Sequence, residues 1–103
     1  MSDETAAPTG GFVADGDAWR YQGALTLDNA ADVMQAADAM TLPVSGVVDL
    51  QALAPADSAA LAVVMALRRR AQAEGRTLHV ANMPQALQSL AVVYGVDDLV
   101  LAP

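Results

Sequence analysis

From Val47 onward the chain alternates short apolar runs with longer stretches at helical spacing, and this order constrains the fold more than any single residue does. Gly46-Val47-Val48-Asp49-Leu50 is a compact β-branched run that reads as a central, well-buried strand. Pro55-Ala56-Asp57-Ser58 opens the longest helix, expected to run to about Glu74 and to stop at Gly75, a residue suited to the position just past a helix end. Leu78-His79-Val80-Ala81 is another strand. Asn82-Met83-Pro84 starts a further helix, with Asn82 as its cap and Pro84 near its first turn. That helix carries Leu87, Leu90, Ala91 and Tyr94 toward the core and ends at Gly95. Leu99-Val100-Leu101 is expected as a last short strand. Strands that alternate with helices favour parallel neighbours, because a parallel pair is joined by a crossover rather than by a tight turn.

The first half of the chain reads differently. Residues 1–11 are small, polar or acidic and are expected to form a disordered leader, which leaves 12–103 as one domain. Phe12-Val13 precedes Ala14-Asp15-Gly16-Asp17, which carries turn chemistry. Trp19-Arg20-Tyr21-Gln22 alternates apolar and polar residues, the mark of a half-buried strand, and Ala24-Leu25-Thr26-Leu27 resumes that pattern after Gly23. Asp28 sits where a helix cap belongs, ahead of a short amphipathic helix with Ala30, Val33, Met34 and Ala37 on one stripe; Leu42-Pro43 ends it. The fold class is therefore α/β: a single domain with a mixed, mostly parallel sheet, an antiparallel N-terminal edge, and helices packed on it.

Composition removes several function classes. At 103 residues and 54% hydrophobic content the chain supports one domain with a real core. It has no cysteine, which excludes disulfides, thiol catalysis and cysteine-ligated zinc. Twelve acidic residues stand against five basic ones, all arginine, for a net charge of −7. That balance argues against nucleic acid, whose phosphates want a basic patch. The N-terminus is not basic-then-apolar, as a signal peptide would be. The longest apolar run, Ala59 to Leu67, falls well short of the roughly 20 residues of a membrane span. A cytoplasmic chain without direct membrane insertion is expected.

No catalytic constellation assembles. His79 is the lone histidine, between two strand residues, and reads as structural or edge-facing. Asp97-Asp98 follows Gly95 and reads as a solvated turn, as do Asp15 and Asp17 around Gly16, which lack the further ligands of a calcium loop. Gly10-Gly11 is not a phosphate loop. Neither catalytic residues nor a metal or cofactor is expected.

The helix from Ser58 to Glu74 carries the functional information. At 100° per residue, Ala60, Val63, Val64, Leu67 and Ala71 share a core stripe. The opposite side carries Ser58, Ala62, Met65, Arg69 and Gln72, with Leu61 on its flank. It stays small and apolar until the arginines begin, where a solvent-facing side would carry charge. One reading is a plain helix start with ordinary exposed alanine and methionine; the other is a docking surface, with Ser58, Leu61, Ala62, Met65 and Arg69 as candidate partner contacts, since methionine suits an adaptable contact. Ser58 in the first turn is also a candidate phosphorylation position, since free N–H groups and the helix dipole tolerate a negative group there. Arg68-Arg69-Arg70 reads as a solvated helix end or as salt bridges to an acidic partner; three consecutive residues point in three directions, so at most two serve one interface.

These residues resemble the STAS domains of sulfate transporters and anti-sigma-factor antagonists. The resemblance covers roughly Trp19 to the C-terminus. It rests on Gly23-Ala24-Leu25, on Val47-Val48-Asp49-Leu50, and above all on Asp57-Ser58-Ala59-Ala60-Leu61; Ala60 stands where the family usually has glycine. The run SLAVVYGVDDLVL is most similar to the cytoplasmic STAS subunit of Mla-type phospholipid-transport ABC systems of Gram-negative bacteria. That resemblance implies a non-catalytic accessory or regulatory subunit, held at the inner membrane through its partner. The implied partner is the ABC transporter ATPase subunit, bound through the helix that starts at Ser58. The alternative implied by the same family is an anti-sigma-factor antagonist, bound to a serine-kinase anti-sigma factor and switched by phosphorylation of Ser58. Without its partner, such an apolar face is expected to find a second copy and form a homodimer.

Overall fold

The computed structural model describes residues 9–100. β1 (Gly10–Asp15) and β2 (Ala18–Leu25) form an antiparallel hairpin around the two-residue turn Gly16-Asp17. From β2 the chain crosses through α1 (Ala30–Asp38) to β3 (Val47–Ala56), and from β3 through α2 (Ser58–Ala73) to β4 (His79–Ala81). Both crossovers give parallel pairs. α3 (Gln85–Val93) and a short α4 (Asp97–Val100) complete the described residues. The four-stranded sheet has the order β1-β2-β3-β4, so the expected α/β domain with an antiparallel N-terminal edge is the one adopted.

Burial alternates along the two central strands. Trp19, Tyr21, Val48 and Leu50 are buried, whereas Gln22 and Gln51 are exposed and Arg20 and Asp49 are intermediate. The helices therefore cover one face of the sheet and leave the other open to water. β3 is central, as expected, but only three of its ten residues, Val48, Leu50 and Leu53, are buried, because alternate residues of the Val47–Gln51 run point to the open face. On the covered side α1 contributes Val33 and Ala37, α2 the stripe Ala60, Val63, Val64, Leu67 and Ala71, and α3 Leu87 and Ala91. Phe12 closes the β1 end, with its ring 4.8 Å from Tyr21 in an edge-on contact and 5.3 Å from Trp19.

Several boundaries differ from the sequence expectation. Residues 1–8 and Leu101 lie outside the described residues, but Gly10 and Gly11 belong to β1 rather than to a leader. Gly10 pairs with Gly23, and a Cβ on Gly10 would strike the Ala24 carbonyl oxygen, so glycine here permits close backbone approach. β2 ends at Leu25, which places Leu27 in the loop before α1. The cap of α1 is Asn29, not Asp28. β3 extends through Pro55 and Ala56, residues expected to open the next helix. Asn82 does not cap α3; it takes φ +57° and donates to Asp49 Oδ1 at 3.1 Å, while Pro84 stands at the cap position. Tyr94, expected in the core, is 58% exposed, since α3 ends one residue before it. The expected last strand is instead the helical turn α4. The N–H groups of Leu99 and Val100 both donate to the Val96 carbonyl, which buries Val100 and exposes Leu99. Asp97 and Asp98, expected in a solvated turn, form the first turn of α4.

The loop between β2 and α1 is pinned from inside. The Tyr21 hydroxyl donates to the Ala24 carbonyl at 2.5 Å, and Asn29 Nδ2 donates to the same oxygen at 2.9 Å. Burial pushes the Tyr21 phenol above its usual value of 10.0, and the contact with Asn29 offsets part of that rise. The folded state therefore holds the Tyr21 proton more tightly than the unfolded chain does. The stability this contributes is fully present below about pH 10 and is lost as pH rises through the folded-state value. Chemical denaturation across that range should show the loss, and Tyr21→Phe, which keeps the ring but has no proton to release, should remove most of this dependence.

Candidate protein-docking site

α2 begins with a well-formed cap. Asp57 has extended backbone angles, and its Oδ1 accepts from the Ala59 N–H at 2.8 Å. The Asp57 N–H donates to the Leu25 carbonyl at 3.3 Å, which ties the helix start to the end of β2. Ser58 is the first helical residue, half-buried, and its hydroxyl has no hydrogen-bond partner among the described residues. At the other end the Arg76 N–H donates to the Ala71 carbonyl at 2.7 Å, with Gly75 at φ +71°, so the helix stops where its glycine predicts.

The structure places four of the five expected contact residues on the outward side. Ala62 and Arg69 are exposed, while Ser58 and Met65 are intermediate. The rise of about 1.5 Å per residue spreads the stripe Ser58-Ala62-Met65-Arg69 over about 16 Å. Leu61 is not among them. It is 2% exposed and belongs to the core cluster, because the buried side of α2 is broad at its start and takes in Ala59, Ala60 and Leu61 together. Ala60, on the same turn, is fully buried, so a larger side chain there would press on the core.

The arginines divide sharply. Arg70 donates to the Ala37 carbonyl at 3.0 Å and to the Met40 carbonyl at 2.5 Å, and it pairs with Glu74 at 3.1 Å. It adds a second donor to the Ala37 carbonyl, which also accepts from the Met40 N–H at 2.9 Å, and supplies one to the Met40 carbonyl just past the end of α1. Arg76 donates to the carbonyls of Leu42, Pro43 and Val44 in the loop that follows α1. Arg68 donates to the Leu78 carbonyl at 3.3 Å, just before β4. Three of the four arginines around the end of α2 thus hold the fold together, which sequence alone does not distinguish from a solvated helix end. Arg69 has no hydrogen bond or ion pair among the described residues. It borders a shallow cleft of about 500 Å³ between α2 and α4, walled by Met65, Gln72, Asp98 and Leu99.

Other candidate chemistry does not converge. His79 is exposed at the first position of β4, and the described residues include no group of three or more His, Asp or Glu side chains able to hold a metal ion. No described helix is long and apolar enough to cross a membrane.

A small α/β domain with a four-stranded mixed sheet and a long helix that begins at a capped Asp-Ser pair fits what comparison with known families finds. A family model described as "Mlab, STAS domain" matches residues 17–101. The chain belongs to this family of STAS domains. No curated protein matches it. Membership supports a non-catalytic, accessory or regulatory role for this STAS domain.

The division among the arginines is open to test. Arg70→Ala should cost about 1–3 kcal/mol of stability, since it removes the guanidinium's bonds to the Ala37 and Met40 carbonyls and leaves the latter without that donor. Arg69→Ala should stay within about 0.5 kcal/mol of the parent, as surface substitutions do. Urea denaturation of the two variants checks both.

Proposed function

We propose that this STAS domain is the accessory subunit of a phospholipid-transport ABC transporter and that it binds the ATPase subunit through the outward side of α2. The observation that carries the reading is the Ser58-Ala62-Met65-Arg69 stripe. Its first three members offer small or apolar surface, and its last offers a guanidinium that no described residue engages. A partner with an apolar surface bordered by a carboxylate matches that arrangement, since interface cores favour apolar contacts and arginine. The match to an MlaB-type STAS model supports an accessory role, and the class of the partner is taken from the resemblance to Mla-type STAS subunits. On this reading the domain does no chemistry, sits at the cytoplasmic side of the inner membrane through its partner, and pairs with a second copy of itself when the partner is absent.

Ser58 stands where the stripe meets the helix N-terminus, so a bulky charged side chain there blocks contact without entering the core. Ser58→Arg should leave the denaturation midpoint nearly unchanged and weaken binding to the purified ATPase subunit by at least about tenfold, the loss expected of a central contact. Titration calorimetry measures it. Full affinity in that variant would remove the docking face from consideration. If wild-type protein ignores the ATPase and instead binds a serine-kinase anti-sigma factor, the transport reading is wrong and Ser58 becomes a phosphorylation switch.

A further inference from the structure

The proposed docking stripe starts at Ser58, and the loop bonded to its neighbour Asp57 presents a large exposed apolar side chain. Leu27, in the loop between β2 and α1, is 78% exposed. A lone exposed leucine ordinarily needs no explanation. This one stands on a backbone fixed from several directions. Asn29 Oδ1 accepts from the Thr26 N–H at 2.9 Å, and the N–H groups of Asn29 and Ala30 donate to the Thr26 carbonyl at 3.1 and 2.9 Å. The Asp28 N–H donates to Thr26 Oγ1 at 3.3 Å. Most telling, the Leu27 N–H donates to Asp57 Oδ2 at 3.1 Å, while the other oxygen of the same carboxylate caps α2. One side chain therefore fixes both the helix that presents Ser58 and the loop that presents Leu27.

We infer that Leu27 is a further contact of the docking face and that Asp57 is the positioning residue that holds it in register with Ser58. The inference rests on the docking reading above and names more of the same surface. Holding an apolar side chain outward on an already ordered loop lowers the entropy lost when a partner covers it. The enlarged face also has a polarity. Asp28, exposed beside Leu27, marks one end, and Arg69 marks the other, with Leu27, Ala62 and Met65 between them. The occupant that fits is the ATPase surface, with an apolar patch bounded by a cationic side chain opposite Asp28 and a carboxylate opposite Arg69.

The test uses the full chain and the purified ATPase subunit of the host's phospholipid-transport system. Leu27→Asp should weaken binding about tenfold or more and leave folding intact, because the side chain lies outside the core. Asp57→Asn separates the two functions of the carboxylate. Asparagine caps a helix about as well as aspartate, but its nitrogen only donates, so it cannot accept from the Leu27 N–H. The variant should keep its melting temperature, lose hydrogen-exchange protection at the Leu27 amide, and bind about threefold to tenfold more weakly. If Asp57 acts through Leu27, the same change in a Leu27→Ala background should cost less than about twofold. Unchanged affinity in Leu27→Asp, with wild type binding normally, overturns this inference and leaves the docking reading standing. An equal cost of Asp57→Asn in both backgrounds overturns the positioning role. Absence of wild-type binding to the ATPase overturns both the inference and the reading beneath it.

Discussion

The start of α2 is apolar around most of its circumference, yet the sheet can cover only one side of it. Ala59, Ala60, Leu61, Val63 and Val64 go inward in the first two turns, and that breadth of burial fixes the helix against Trp19, Tyr21, Val48 and Leu50. Everything else about the domain follows from that seat. The helix axis cannot roll without withdrawing several buried side chains, so Ser58, Ala62 and Met65 are held in their outward positions. A surface that is small and apolar is thus a consequence of how firmly the opposite side is packed.

The ends of the elements are held by polar groups rather than by apolar contact. Asp57 joins the start of α2 to the loop before α1, and Asn29 locks that loop to the end of β2. At the opposite end of α2, Arg70 and Arg76 reach across to carbonyls at and after the end of α1. Two pairs of anchors, one at each end of the longest helix, hold α1 and α2 side by side over the sheet. The net charge of −7 conceals this division of labour. Most of the few cations are committed to backbone carbonyls, so the basic end of α2 is much less available to a partner than three consecutive arginines suggest.

Much of this was legible in the sequence, and the failures have physical causes. The end of α2 could be read to within a residue because a terminal glycine marks it, whereas Pro55 and Ala56, read with the helix start, belong to β3. The alternation in Trp19-Arg20-Tyr21-Gln22 marked a half-covered sheet. Leu61 was misplaced because helical spacing gives the direction of a side chain but not the width of the covered side. The Leu99-Val100 segment was misread because a short apolar run fits a strand and a helical turn equally well, and only the bonds to the Val96 carbonyl decide between them. Gly10 and Gly11 looked like leader residues since glycine carries no hydrophobic signal, although close pairing with Gly23 requires it there. Leu27 was read as strand. Its backbone N–H is held by Asp57, thirty residues away, and no local pattern reveals that contact.

The most direct test of the docking account is to map the surface covered when the ATPase subunit is added, by amide and methyl NMR of the labelled domain. Perturbation and protection should be confined to the outward side of α2 and the loop before α1, with the open sheet face around Gln22 and Gln51 unchanged. Protection centred instead on that open face, with α2 unaffected, would contradict the central claim.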